Sequence, residues 1–174
     1  VRADVPALSA LMARAIRELQ RGFLDEAHIA ASASVMGLDT QLIDDGTYFV
    51  VERDGPDNAA IAGCGGWSRR ATLFGGDHSA GRDAALLDPE KDPARVRAMY
   101  TAPDFARQGV GRLILTLCEA AAAREGFGRV ELAATLAGEP LYRACGYSVI
   151  APFEAETPQG LRVPLKRMGK TITA

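Results

Sequence analysis

The run Ala106-Arg107-Gln108-Gly109-Val110-Gly111-Arg112 carries the clearest chemistry in this 174-residue chain. It follows an extended segment over residues 95–101 and a turn signal, Ala102-Pro103-Asp104, and it opens into an apolar-periodic helix. The first N–H groups of a helix have no internal partner, and the helix dipole favours negative charge there. Gly109 and Gly111 have no side chain to keep a phosphate away from those amides. The run therefore reads as a main-chain cradle for a phosphorylated ligand. A Walker-type loop would need Lys-Ser or Lys-Thr after its last glycine, but Arg112-Leu113 stands there. A dinucleotide fingerprint would need a third glycine where Ile114 stands.

The elements that must position this loop alternate along the chain. Residues 5–19 predict a helix, with Leu8, Leu11, Met12, Ile16 and Leu19 at helical spacing and Pro6 near its start. Residues 24–36 predict a second helix closed by Gly37. Two strands follow, over 47–53 and 59–68, joined through Asp54-Gly55-Pro56-Asp57. Residues 69–93 form a long polar insertion, and a loop of that length is usually functional or mobile. After strand 95–101 and the glycine loop, the helix presents Val110, Leu113, Ile114, Leu117, Cys118 and Ala121 to a core and ends near Gly126. A strand over 129–135, a short helix over 140–144 capped by Gly146, and strands over 147–153 and 161–168 complete an α/β pattern.

Composition bounds the function. The length predicts one domain spanning 1–174, and 48% hydrophobic residues are ordinary for a globular chain. A net charge of −2 with both signs interspersed gives no pull towards nucleic acid or an anionic membrane. No apolar stretch approaches the roughly 20 residues that span a bilayer, and no charged-then-apolar leader is read at the start. Three cysteines, Cys64, Cys118 and Cys145, lack metal-ligand or redox spacing, which predicts reduced core thiols, a cytoplasmic setting and no metal. Trp67 is expected to pack rather than to stack on a ligand, and His28 to be a surface or packing residue.

About thirty residues beyond the glycines stands Pro140-Leu141-Tyr142-Arg143-Ala144-Cys145-Gly146-Tyr147. With this second motif, residues 95–150 resemble the GCN5-related N-acetyltransferase (GNAT) superfamily, whose fold is a mixed central β-sheet flanked by helices. The two helices and the hairpin ahead of the first motif fit the same pattern. The resemblance implies acetyl transfer from acetyl-CoA to a primary amine of a small molecule or peptide, by direct attack in a ternary complex. It also allows a homodimer, or a non-catalytic CoA-binding regulatory module of the same fold.

Residue by residue, the resemblance implies that Arg107, Gln108, Gly109, Val110, Gly111 and Arg112 bind the CoA pyrophosphate, largely through amides. Met99, Tyr100 and Thr101 would lie on a splayed strand that pairs with pantetheine as an added strand would. An N–H near Met99 would polarise the thioester carbonyl. Tyr142 would protonate the departing thiolate. A thiol near 8.5 and a phenol near 10 make full transfer uphill by roughly 1.5 units, about 2 kcal/mol. The base for the amine is open between Glu131, Asp77, His78 and a water chain with no single base. Two positions depart from the family pattern. Ala106 replaces a usual Gln or Arg, and Ala137-Gly138 stand where an asparagine often contacts CoA. The acceptor cleft would involve the first two helices and the insertion, where Arg69, Arg70, Asp77, His78, Arg82 and Asp83 concentrate charge.

Overall fold

A computed structural model describes residues 2–53 and 60–173. The expected turn at Asp54-Gly55-Pro56-Asp57 lies outside the described residues. A 3-10 turn, Arg2–Asp4, leads into α1, Val5–Leu19. Pro6 sits in the first turn of α1, where its missing N–H costs nothing. The stripe Leu8, Leu11, Met12, Ala15 and Ile16 is buried, as helical spacing predicts.

The second helix is shorter than its apolar pattern predicts. The segment 24–36 resolves into α2, Glu26–Ser32, only. The Asp25 carboxylate accepts from His28 N at 2.8 Å and fixes the start of α2. After Ser32 the chain runs through turns, with Ser34 Oγ bonded back to Ala31 O at 2.7 Å. A third helix, α3, Thr40–Asp44, is only five residues long and is capped by Asp39, which accepts from Gln41 N at 3.1 Å. It is too short to show a periodic signal.

Strands β1, Tyr48–Arg53, and β2, Ala60–Ser68, are antiparallel neighbours. Strand β3, Ala94–Thr101, follows the insertion, and α4, Val110–Arg124, follows the glycine loop. Then come β4, Arg129–Thr135, α5, Glu139–Ala144, β5, Ser148–Glu156, and β6, Arg162–Thr171. The strands form one mixed sheet in the order β1-β2-β3-β4-β6-β5, with only β3 and β4 parallel. Both closing strands extend about three residues beyond their apolar segments, because β5 and β6 stay paired from Ser148↔Gly169 to Glu156↔Arg162.

Helix α4 lies on one sheet face, burying Ile114, Leu115, Cys118 and Ala122 against Val130, Leu132 and Met168. Glycines in β2 make the contact close: a Cβ on Gly63 would stand 2.6 Å from Val110 and one on Gly65 2.8 Å from Ile114. Helix α1 packs on the other face with Cys64, Tyr100 and Ala102. A third cluster joins Ala31 and Val35 to Ala155, Val163 and Leu165. Trp67 is buried edge-on to Phe127 with the Arg69 guanidinium over its ring, so it packs as expected.

Candidate active site

The parallel pair β3–β4 is the origin of the site. Its register covers only Ala94↔Val130 and Arg95↔Glu131. Beyond Arg95 the strands part, so main-chain groups of β3 on that side have no strand partner. A bulge begins at the same place. Cys64 faces Tyr100 and Gly66 faces Arg97, which leaves Ala98 and Met99 together opposite Gly65. Ala98 takes a φ of 51°, a strained position for a residue with a Cβ. Two features hold it: Tyr48 Oη donates to Ala98 O at 2.8 Å, and Gly65 leaves room where a Cβ would stand 2.7 Å from Met99 Cγ.

The parted strands open a cleft of about 800 Å³. Of the residues singled out in the sequence, Met99, Tyr100, Thr101, Arg107, Gly109, Val110, Gly111, Arg112 and Tyr142 line it together. Gln108 does not; its side-chain amide donates to Asp104 O at 3.0 Å and holds the loop. Arg14 of α1 grips the Asp104 carboxylate at 2.6 and 2.8 Å, tying α1 to the same turn.

The loop has the geometry of an anion cradle. Arg107 and Gly109 both have positive φ, 64° and 87°, which turns successive amides towards one side. A Cβ on Gly109 would meet nothing within 4 Å, so the space ahead of it is open. No side chain caps α4, and the bond from Leu113 N to Gly109 O at 3.0 Å comes after the amides of Val110, Gly111 and Arg112. Among the described residues, neither Arg107 nor Arg112 forms an ion pair. A Cβ on Gly111 would stand 2.7 Å from Leu141 Cδ2, so this glycine lets α5 close on the loop. These features fit a pyrophosphate held by amides, with two exposed guanidiniums beside it.

Tyr142 stands on α5 across the cleft. The residue is 9% exposed, and its ring packs against Tyr147, with centroids 5.9 Å apart. Its hydroxyl has no hydrogen-bond partner among the described residues. Burial pushes the phenol well above its ordinary range, so it stays protonated and can donate. The expected Gly146 cap is present: φ is 90°, and Tyr147 N bonds Tyr142 O at 3.0 Å.

The geometry corrects the candidates for the base. Glu131 does not reach the cleft. It borders a shallow groove on another part of the sheet, and its Oε2 is clamped by Arg95 at 2.5 Å and Arg167 at 2.7 Å. A carboxylate engaged by two guanidiniums there is a structural ion pair, not a proton acceptor for the amine. Asp77 accepts from Thr40 N at 3.0 Å and lies near Arg82. His78 bonds Ala33 O at 3.0 Å through Nε2, and His28 holds Asp25 at 2.8 Å. None of the three lines the cleft. Nor does any cysteine; burial pushes the Cys64 thiol up to about 11, so it holds its proton at neutral pH.

The far end of the cleft lies where the first helix and the insertion are expected to build it, but it uses apolar side chains that the sequence marks only as core residues or does not mark at all. Ile16 and Leu19 of α1 and Gln20 at its C-terminal end, then Phe23, Met36 and Phe74, form its walls, with Arg97 behind them. Phe23, half exposed just after α1, carries no signal in the sequence, because its exposure is set by the tertiary structure. The charged insertion residues serve the framework instead. Arg82 and Arg97 both pair with the fully buried Asp39, Arg97 also donates to Gly75 O at 2.7 Å, and Arg70 pairs with Asp45 at 2.7 Å. Tyr100 Oη accepts from Gly37 N at 2.8 Å and fixes the loop beside them.

A family model for the acetyltransferase (GNAT) family matches residues 11–147. The chain belongs to this family. Solved structures agree in fold. A GCN5-related N-acetyltransferase from Rhodopseudomonas palustris superposes with a TM-score of 0.71 at 15% identity, covering 99% of this chain and 92% of that one. The ribosomal-protein-alanine N-acetyltransferase of Brucella melitensis gives 0.63 at 16% identity, covering 99% and 96%. An N-acetyltransferase from Thermoplasma acidophilum, in complex with coenzyme A, gives 0.57 at 11% identity, covering 97% and 93%. No curated protein matches the chain. Among the described residues, no helix is long and apolar enough to cross a membrane.

Proposed function

We propose that this GNAT protein transfers the acetyl group of acetyl-CoA to a primary amine by direct attack. The observation that carries the reading is the parting of β3 from β4 immediately beside an uncapped, open-faced helix N-terminus. The amides of residues 109–112, with Arg107 and Arg112, hold the pyrophosphate. The exposed main chain of Met99–Thr101 pairs with the pantetheine arm, and an N–H near Met99 steadies charge on the thioester oxygen. The amine nitrogen forms a bond to the carbonyl carbon, and the C–S bond breaks. The nitrogen releases its extra proton to water, Tyr142 gives its proton to the departing sulfur, and Tyr142 recovers one from water, so the protons balance.

The high pKa of buried Tyr142 does not defeat this role. The same surroundings desolvate the thiolate, so both anions are disfavoured and the proton transfer depends on their difference. No cysteine lines the cleft, which agrees with transfer in one ternary complex. The test is a thiol-release assay with acetyl-CoA across a panel of amines, alongside a CoA thermal shift. Turnover on at least one amine with a shift supports the reading. A shift without turnover on any amine would favour a CoA-binding regulatory module.

A further inference from the structure

The cleft wall says which amines suit it. The charged or titratable residues that line it are Arg97, Arg107, Arg112, Tyr100 and Tyr142. None of the described lining residues is Asp, Glu or His. Arg107 and Arg112 stand at the donor end. Arg97 stands at the acceptor end, its side chain 2% exposed and ion-paired with the buried Asp39, with its Nε left without a partner. An ammonium ion entering this space leaves its hydration and finds no lining carboxylate to pair with. A neutral amine has no such penalty.

The rest of the acceptor wall is apolar, with Leu19, Phe23, Met36 and Phe74 facing the cleft. Its neutral polar group is Gln20, which is 4% exposed. Its Nε2 makes only long contacts, 3.4 Å to Ile16 O and 3.8 Å to Met36 Sδ, and its Oε1 receives no bond from a described residue. That oxygen is available to accept from an amine N–H without adding charge.

Building on the acetyl-transfer reading, we infer that the acceptor is a weakly basic amine on an apolar body, of the α-amino type found on apolar amino acids and peptide N-termini. It enters as the free base, having left its proton in bulk water. Lysine-like side chains and polyamines are disfavoured. The size of the preference follows from the neutral fractions. An α-amine titrates near 7.7–8.0 and a lysine-type amine near 10.4, so at pH 7 the neutral fractions differ by roughly 300-fold. By pH 9 the α-amine is almost wholly neutral and the ratio falls to roughly 25-fold.

The experiment compares phenylalaninamide with 3-phenylpropylamine, which carry similar apolar bodies and amines of different basicity. Thiol release is followed from pH 7 to pH 9, and a CoA thermal shift is measured in parallel. The expected result is a kcat/KM ratio of order 10² in favour of phenylalaninamide at pH 7, shrinking about tenfold by pH 9. The phenylpropylamine profile should still be rising at pH 9. Equal kcat/KM at pH 7, or a phenylpropylamine plateau well below its own pKa, would overturn the inference and leave acetyl transfer standing. So would a CoA shift with no turnover of phenylalaninamide. Absence of the CoA shift would instead remove the acetyl-transfer reading, and the inference with it. A second arm uses Gln20→Glu, which puts a carboxylate in the wall. It should narrow the ratio at pH 8 by threefold or more with the CoA shift retained. A ratio that does not move would show that wall charge does not set the preference.

Discussion

At the donor end of the cleft, the ligand-facing groups are main-chain amides on one loop and one parted strand. At the acceptor end they are side chains from α1, the segment after α2 and the insertion. The donor end depends on backbone shape, so glycines and a single tyrosine mark it. The acceptor end depends on which side chains converge, and convergence is set by tertiary packing. A fixed donor and a variable acceptor need this division. The first can be held by a motif, and the second must be free to change without disturbing it.

The largest expected effect is at the donor end. Gly111→Glu drives a side chain into Leu141, 2.7 Å from the new Cβ, and sets a carboxylate beside the pyrophosphate site. It should abolish the CoA thermal shift and turnover of every amine alike. A variant that keeps the shift but loses only some amines would break the division between the two ends.

Next is the framework of the acceptor end. Asp39 is fully buried, caps α3 and pairs with both Arg97 and Arg82. Asp39→Ala leaves Arg97 charged and buried without its partner, because burial already works against that guanidinium. Loss of one member of such a pair costs about 3–5 kcal/mol. In urea unfolding the variant should lose that much stability, and CoA added in excess should restore part of it. A loss below about 1 kcal/mol would mean the triad does not hold the wall.

Tyr142→Phe lies between the two ends. Its hydroxyl makes no bond to a described residue, so its removal should leave folding and the CoA shift intact. The kcat should fall by about 10²-fold for all amines, with KM for acetyl-CoA little changed. Unchanged turnover would remove the acid role.

How much of this was legible in the sequence follows the same division. Gly109 and Gly146 could be placed because their roles are local, a turn into a helix and a helix cap, while Tyr142 was placed by the resemblance and the close approach of Leu141 to Gly111 was not foreseen. The buried face of α1 was equally plain, but the stripe of α4 was drawn too far round the helix: Val110, Ile114 and Cys118 are buried as expected, whereas Leu113 and Leu117 are exposed and Leu115 and Ala122 take their place in the core. The mixed sheet followed from the resemblance. The short helix α3 was hidden because five residues show no period, and α2 was over-extended because Val35 and Met36 are apolar for a different reason, facing the third cluster and the cleft. Glu131 looked like a base because alternation places it on a face but cannot say that Arg95 and Arg167 occupy that face. The insertion drew attention to its charges, whereas its contribution to the cleft is Leu73-Phe74-Gly75. Its charges hold it in place, through pairs with Asp39, Asp45 and Glu125.

The smallest effect sharpens that last point. Arg70 of the insertion holds Asp45, at the end of α3, with bonds of 2.7 and 2.9 Å. The guanidinium keeps the Asp45 carboxyl below its ordinary range. A carboxyl depressed by folding adds stability above its unfolded pKa, near 3.9, and loses that contribution as pH falls through the lower folded value. The stability gap between the natural chain and Asp45→Asn should therefore be steady above about pH 5, at about 1 kcal/mol, and should close as the solution is acidified below about pH 4. Urea unfolding at pH 7, 5 and 3 measures it. Because the pair clamps the insertion to α3, Asp45→Asn should also raise KM for the amine while leaving KM for acetyl-CoA unchanged. A change in both would mean that the acceptor wall and the donor loop move together, and the two ends of the cleft would have to be treated as one unit.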